Sequence, residues 1–350
     1  MRKPLTLHPA MIKANSLLLA LFLLAPAVRA DDKATAVAVA QPAVAGAQQQ
    51  PEVQQGGAAS SPAAAAQRQP QSVEDWLAKL NRAANDLEYS GLATFEHGGM
   101  LETLEVVHAL RDGEQVERVR YLSGDPRELI SHGSSRNCAR LSNPLARAGL
   151  LSGAGHSEVE RSYQFVLRGE ERVADRDTVV IEARPRDLDR LGMVINLDRK
   201  TGLPLKSMLV NAQGRVLERY QFVKLNLSPV PDSALEPSSA DARRIDNNTP
   251  CTSAQSRWQV RWVPEGFELV SVRTLSDGDM LVFSDGLSVF TVFVQHLGPG
   301  LDFQGRAIRG ATVAYMDKVR VNGVDYTVTV VGEIPDTTAR RVAGAVGIKG

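Results

Sequence analysis

Few residues in this 350-residue chain have the types and spacings that catalysis needs. His97, His108, His132 and His156 share one stretch, but none pair at an interval that puts two ligands on one local element. They read as turn and strand histidines with satisfied hydrogen bonds rather than as a metal site. His132-Gly133-Ser134-Ser135 has the look of a nucleophile loop, yet no recognised motif surrounds it and a polar turn accounts for it. There is no Gly-x-Ser-x-Gly, no His-Glu-x-x-His, no phosphate loop and no Gly-x-Gly-x-x-Gly. The expectation is a binding protein: no enzyme, no catalytic residue, no metal and no cofactor.

The two cysteines, Cys138 and Cys251, are the other reactive pair. A small even count in an oxidising compartment fits one disulfide, which would tie the first folded region to the segment after it. Two buried free thiols are the alternative. No Cys-x-x-Cys exists, so no redox centre follows. Asn226-Leu227-Ser228 and Asn247-Asn248-Thr249 fit a glycosylation pattern, a short signal with many chance matches.

The compartment is set by the first thirty residues. Arg2, Lys3 and Lys13 make a basic front, and Leu17 to Pro26 is an apolar core too short to span a bilayer. Ala27-Val28-Arg29-Ala30 is a small-x-small cleavage site. Residues 1–30 are therefore expected as a signal peptide cleaved near Ala30, which places the mature chain outside the cytoplasm. Basic and acidic residues number 40 each in the full chain. The signal removes Arg2, Lys3, Lys13 and Arg29 and no acid, so the mature chain is slightly acidic and a poor partner for nucleic acid. Residues 31–71 are Ala, Gln, Pro and Gly with few large apolar side chains, and read as a disordered linker.

The elements that would position any site begin at Ser72. Ser72-Val73-Glu74-Asp75 resembles a capping box with Asp in place of Glu, and Val73, Trp76, Leu77, Leu80, Ala84 and Leu87 recur at helical spacing. Strands follow at 91–96, 101–110 and 115–122, joined by His97-Gly98-Gly99 and Asp112-Gly113. Strands are also expected at 128–132, 137–141, 163–168 and 171–174. The stretch 177–225 holds four short apolar runs with turn chemistry between them, an antiparallel meander. Leu205, Ser207 and Leu209 share one face and Lys206, Met208 and Val210 the other, so both faces should be covered. Asn143–Gly155 is Gly-rich, with Leu145, Leu150 and Leu151 as flap candidates.

Residues 226–256 are rich in Pro, Ser and Asn and read as an interdomain linker, so the flanking domains, 72–225 and 257–350, should be separable. In the second, Trp258, Val260 and Trp262 alternate with polar residues. Asp285-Gly286 and Asn322-Gly323 read as hairpin turns. A last helix should bury Ala339, Val342, Ala343 and Val346, with Gly347 at its C-terminal cap.

These residues carry a resemblance. Asp75-Trp76-Leu77 through Tyr89-Ser90-Gly91, the strand pair around Glu105–Asp112, and Leu197-Asp198-x-x-Thr201-Gly202-Leu203-Pro204-Leu205 resemble the RseB/MucB family. So do Trp262-x-Pro264-x-Gly266-Phe267 and Asp285-Gly286-Leu287-Ser288-Val289-Phe290. The likeness spans most of 72–350. It implies an α+β, two-domain protein. The N-terminal domain would be a LolA-like unclosed antiparallel half-barrel with packed helices. The C-terminal domain would be a small antiparallel β domain with a terminal helix.

It also implies a periplasmic negative regulator of an envelope-stress sigma factor. Such a protein binds the periplasmic domain of an inner-membrane anti-sigma factor and shields it from regulated proteolysis. An amphiphilic lipid such as lipid A, or lipopolysaccharide, would release it. Under that reading 72–225 senses lipid and 257–350 grips the partner. The half-barrel wall that could face acyl chains is Leu104, Val106, Val179, Ile181, Val194 and Leu209, each of which core packing also explains. A periplasmic lipid or lipoprotein carrier is the alternative, which the second domain disfavours. Homo-oligomerisation stays open.

Overall fold

The computed structural model describes residues 72–133, 156–246, 255–297 and 304–349. Cys138, Cys251, the expected strand 137–141 and the flap leucines Leu145, Leu150 and Leu151 lie outside the described residues. So do the expected signal and the Ala/Gln stretch.

Helix α1, Val73–Asp86, starts where the sequence says it should. The Ser72 hydroxyl accepts from the Asp75 N–H (3.1 Å), and the Asp75 carboxylate accepts from the Ser72 N–H (3.3 Å). This reciprocal pair satisfies amides that have no partner inside the helix. The buried stripe is Trp76, Leu77, Leu80 and Ala83.

A ten-stranded sheet lies under it. Its strands are β1 Tyr89–His97, β2 Met100–Arg111, β3 Glu114–Tyr121, β4 Glu128–His132 and β5 Tyr163–Val173. Then come β6 Arg176–Pro185, β7 Gly192–Asp198, β8 Pro204–Val210, β9 Val216–Asn226 and β10 Arg243–Asp246. The order is β10-β4-β3-β2-β1-β9-β8-β7-β6-β5, so the sheet is open, with β10 and β5 at its edges. The two strands expected at 163–168 and 171–174 are one strand, β5, interrupted by a register shift between Leu167 and Gly169. A short helix, α2 (His156–Ser162), precedes it. On β8 the expected alternation holds, but Lys206, Met208 and Val210 are only half-buried while Leu205, Ser207 and Leu209 are buried.

Residues 226–246, expected as part of a linker, return to this sheet instead. Alternation along β2 turns Val106 toward the α1 side and Val107 to the other, where Val107, Ala109 and Val116 pack with Val230 and Leu235. Two charged clamps fix the strap. Arg111 donates to Asp232 Oδ1 (2.6 Å) and to the Val230 carbonyl, while Glu88 accepts from the Val230 N–H (2.9 Å). Buried Glu128 accepts from the Ser238 N–H (3.0 Å), the Ser238 hydroxyl (3.0 Å), the Ser239 N–H (3.1 Å) and Arg118 Nε. Burial pushes the Glu128 carboxyl up, but these donors outweigh it and hold it below its ordinary value. The strap then ends as β10, parallel to β4.

The second sheet is built from β12 Glu268–Leu275, β13 Gly278–Ser284, β14 Val289–His296, β15 Gly305–Arg309, β16 Thr312–Val321 and β17 Val324–Gly332. Its order is β12-β13-β14-β17-β16-β15. Asn322 and Gly323 both have positive φ, as a type I′ turn requires, and so do Asp112 and Gly113 in the first sheet. Helix α3, Asp336–Gly344, buries Ala339, Val342 and Ala343 on this sheet. Gly347 is not its cap. The helix closes at Ala345, and Gly347 lies in β18 (Val346–Ile348), paired with β11 (Trp258–Val260).

Candidate functional site

The β6–β7 loop reads in sequence as a polar turn, Arg186-Asp187-Leu188-Asp189-Arg190. In the fold its last residue is buried completely. Arg190 donates to Asp187 on its own loop (Nε, 3.1 Å), to Asp285 Oδ2 (2.6 Å) and to the Glu265 carbonyl. The last two belong to the second sheet's turns. Tyr163 at the start of β5 donates to the same Asp285 oxygen (3.0 Å) and meets the Ser288 hydroxyl (3.1 Å). The other Asp285 oxygen accepts from the Leu287 (3.0 Å) and Ser288 (2.7 Å) N–H groups. Every face of this buried charge is therefore matched, the condition under which a buried ion pair is tolerable.

Burial pushes the Asp285 carboxyl above the ordinary carboxylate range, against the pull of the Ser288 N–H and Arg190. Burial also lifts the Tyr163 phenol well above its usual value, with Asp285 adding to the effect. Arg190 would be lowered by burial, but Asp187 and Asp285 more than offset that and keep it charged.

Packing closes the same junction. Two turn glycines with left-handed backbone, Gly266 (φ 82°) and Gly286 (φ 89°), lie against the first sheet's side. A Cβ at Gly266 would fall 2.4 Å from Ser162 Oγ, and one at Gly286 would fall 2.7 Å from Val159. Leu287 and Ala311 enter the first core beside Val159, Tyr163 and Leu209. Thr338 on α3 donates to Asp189 (3.0 Å).

At another point of the boundary the two sheets leave a groove of about 310 Å³. The β1–β2 turn (His97 to Gly99) and residues 215–218 line one side, and Ile308 and Gly310 the other. The groove's first side is braced: His97 Nε2 meets Glu102 Oε2 at 3.0 Å, and Glu218 Oε1 accepts from the Ala311 N–H (3.1 Å).

The expected lipid wall does not stand together as one cavity. Leu104 and Val106 are buried with Tyr89, Phe222 and Ala83 of α1. Val179, Ile181 and Leu209 are buried with Trp76, Leu77 and Leu80 of α1. Val194 points the other way on β7 and is half-buried. The helix therefore fills the space beside five of the six. Among the described residues no group of three or more His, Cys, Asp or Glu could hold a metal ion. Also among them, no helix is long and apolar enough to cross a membrane.

Both halves of this arrangement have counterparts among known proteins. Residues 72–243 match the MucB/RseB N-terminal domain, and residues 252–347 match the MucB/RseB C-terminal domain. The chain belongs to the MucB/RseB family. It is 33% identical over 286 residues to the sigma factor AlgU regulatory protein MucB of Pseudomonas aeruginosa, covering 79% of this chain and 90% of that protein. It is 27% identical over 286 residues to the sigma-E factor regulatory protein RseB of Escherichia coli, covering 76% of this chain and 88% of that one. A crystal structure of MucB in complex with MucA(peri) aligns with a TM-score of 0.66 at 32% identity, over 80% of this chain and all of that one. A structure of MucB alone aligns with a TM-score of 0.60 at 32% identity, over 79% and 97% of the two chains.

Within this MucB/RseB chain, sequence reasoning found the turns but not the junction they build. Asp285-Gly286 signals a hairpin, and nothing local announces that its carboxylate receives Arg190. The alternation of Asp187, Asp189 and Arg190 with Leu188 and Leu191 was the available signal, since Leu191 is buried and Leu188 is not.

Proposed function

We propose that this chain is a periplasmic regulator that binds the periplasmic part of an inner-membrane anti-sigma factor. Bound, it shields that factor from regulated proteolysis and so restrains an envelope-stress sigma factor. One observation carries the reading: both family domains are present in order, and a relative of the same two-domain fold crystallised with MucA(peri). The expected signal peptide supports export. The buried junction around Arg190 supports a body that offers a partner one fixed surface rather than two hinged ones. No chemistry need be assigned to it beyond binding.

Release by an amphiphile such as lipid A belongs to the same proposal, with one physical condition. Trp76, Leu77 and Leu80 cover Val179, Ile181 and Leu209, so an acyl chain reaches that wall only if α1 is lifted. The same cover weighs against a constitutive lipid or lipoprotein carrier, which needs its wall open.

The test is a periplasmic pull-down with tagged protein, followed by protease challenge of the captured partner. The expected result is a single-pass membrane protein whose periplasmic part is cut more slowly when bound. Capture of lipoproteins alone would favour the carrier. Lipid A should then free the partner from the wild type, and not from a variant whose α1 is tethered to the sheet by an engineered disulfide.

A further inference from the structure

We infer that the edge of β15 that no described strand covers is a strand-addition site for an extended segment of the anti-sigma factor, with an apolar side chain of that segment seated in the groove beside Ile308. The inference rests on the regulator reading above and names the surface that reading needs.

Edge strands expose unpaired N–H and C=O groups and are usually blunted. Two of the four outer strands of the two large sheets, β5 and β12, are interrupted by register shifts. Strand β5 has a register shift at Leu167/Gly169 and the charged run Arg168, Glu170, Glu171, Arg172. Strand β12 has a register shift between Leu269 and Ser271. Strand β10 has four residues, two of them Arg243 and Arg244. Strand β15 is regular from Gly305 to Arg309, and no described strand pairs with its other side.

The turn decides which groups face out. Arg309 lies opposite Thr312 across the two residues Gly310 and Ala311, and Gly310 has φ 60°. In a two-residue hairpin the pair flanking the turn is hydrogen-bonded, and pairs alternate from there. Arg309 and Ala307 therefore bond to β16, while the N–H and C=O of Ile308 and Arg306 point to the open edge. The turn is held in place by the first sheet, because Glu218 binds the Ala311 N–H and the Gly98 backbone lies against Gly310.

The side chains suit a peptide that is apolar and acidic. Ile308 is 56% exposed at the groove wall, and Met100 (42%) and Leu101 (66%) are exposed beside the β1–β2 turn that forms the opposite wall. Met100 and Arg309 touch across the gap. Arg215 and Arg309 bring positive charge, while Arg306 is paired with Asp336. Nearby acids are already engaged: Glu96 with Arg219, Glu218 with the Ala311 amide and Asp336 with Arg306. An extended segment with an apolar residue flanked by carboxylates would pair its backbone with β15 and its charges with these arginines.

Hydrogen–deuterium exchange on the wild-type protein, free and saturated with the periplasmic fragment of its own organism's anti-sigma factor, tests this directly. The Arg306 and Ile308 amides should exchange freely alone and become protected in the complex. Ile308→Pro removes an outward N–H without breaking the β16 ladder, and should weaken fragment binding at least tenfold. Leu269→Asp, on the opposite edge, should leave affinity unchanged. If the wild type binds the fragment and the two amides gain no protection, the edge proposal is overturned while the regulator reading stands. If the wild type does not bind at all, both fall. Protection that appears in the protein alone and grows with its concentration would make a second copy of the chain the occupant, and would also overturn it. The wild-type exchange result decides the matter even if Ile308→Pro fails to fold.

Discussion

The two sheets complete their cores differently. The second sheet is covered by its own α3 and flanked by β11 and β18, and its cluster from Trp258 to Val346 draws on no residue of the first among those described. The first sheet is covered by α1, but its cluster also takes in Leu287 and Ala311 from turns of the second. Dependence therefore runs one way. Removing the first domain leaves the second with its core intact, whereas removing the second opens the first core to water where Leu287 stood. A boundary that looks like a flexible join in sequence is, for one side, part of the hydrophobic interior.

Cutting the chain should show this asymmetry at its largest. A fragment of residues 255–349 should unfold cooperatively with near-native near-ultraviolet circular dichroism, and a fragment of residues 72–246 should lose that signal. The comparison breaks if both fragments fold equally well. A smaller effect should come from Arg190→Ala, which leaves the Asp285 carboxylate buried without its cation. Urea denaturation should register a loss of about 3–5 kcal/mol. Leu287→Ala should cost about 2–5 kcal/mol, and the loss should appear in probes of the first sheet such as Trp76 fluorescence, although the residue belongs to the second. Ser72→Ala removes the α1 cap and should cost about 1 kcal/mol.

Acid sharpens the comparison further, because two of the buried carboxylates, Glu128 and Asp285, are shifted in opposite senses. Glu128 is depressed below its ordinary 4.5, so its stabilisation of the strap is complete above about pH 4.5 and is lost as pH falls through its folded value. Asp285 is raised above 3.8, so the folded state favours its protonated form, and its own desolvation cost eases as pH falls through its folded value. Stability measured from pH 6 down to pH 3 should therefore decline less steeply in Glu128→Gln than in the wild type. An unchanged slope would remove Glu128 from the account.

Much of this frame was legible. Ser72 with Asp75 marked the start of α1, because the first helical amides must find acceptors. Asp112-Gly113 and Asn322-Gly323 marked hairpins, because few other pairs accept two positive φ angles. The elements that escaped are short and polar. Strand β15 reads Gly-Arg-Ala-Ile-Arg and β10 reads Arg-Arg-Ile-Asp, and neither shows an apolar alternation long enough to count. Gly347 reads as a cap because a Gly after an amphipathic helix usually is one, whereas here tertiary pairing with β11 recruits it. The Arg190 junction left only the short Asp187 to Leu191 pattern as a local mark, since its partner Asp285 stands far along the chain. The groove at Ile308 left none either, being made by two turns and an edge that meet only in the folded molecule.

The position of β1 at the middle of the first sheet bears on the order of assembly. Strands β1 to β4 form one run of neighbours and β5 to β9 another, and among the described strands the runs meet at β1 against β9, where Ser90 lies opposite Asn226. Each run can zip locally, but the seam must wait until the chain through Asn226 has been made, and closing so long a loop is slow. Until then β1 and β9 are both open edges in a half-built protein, although neither is an edge in the finished one. The strand hidden most deeply in the native sheet is thus the one most exposed to mispairing while the molecule forms.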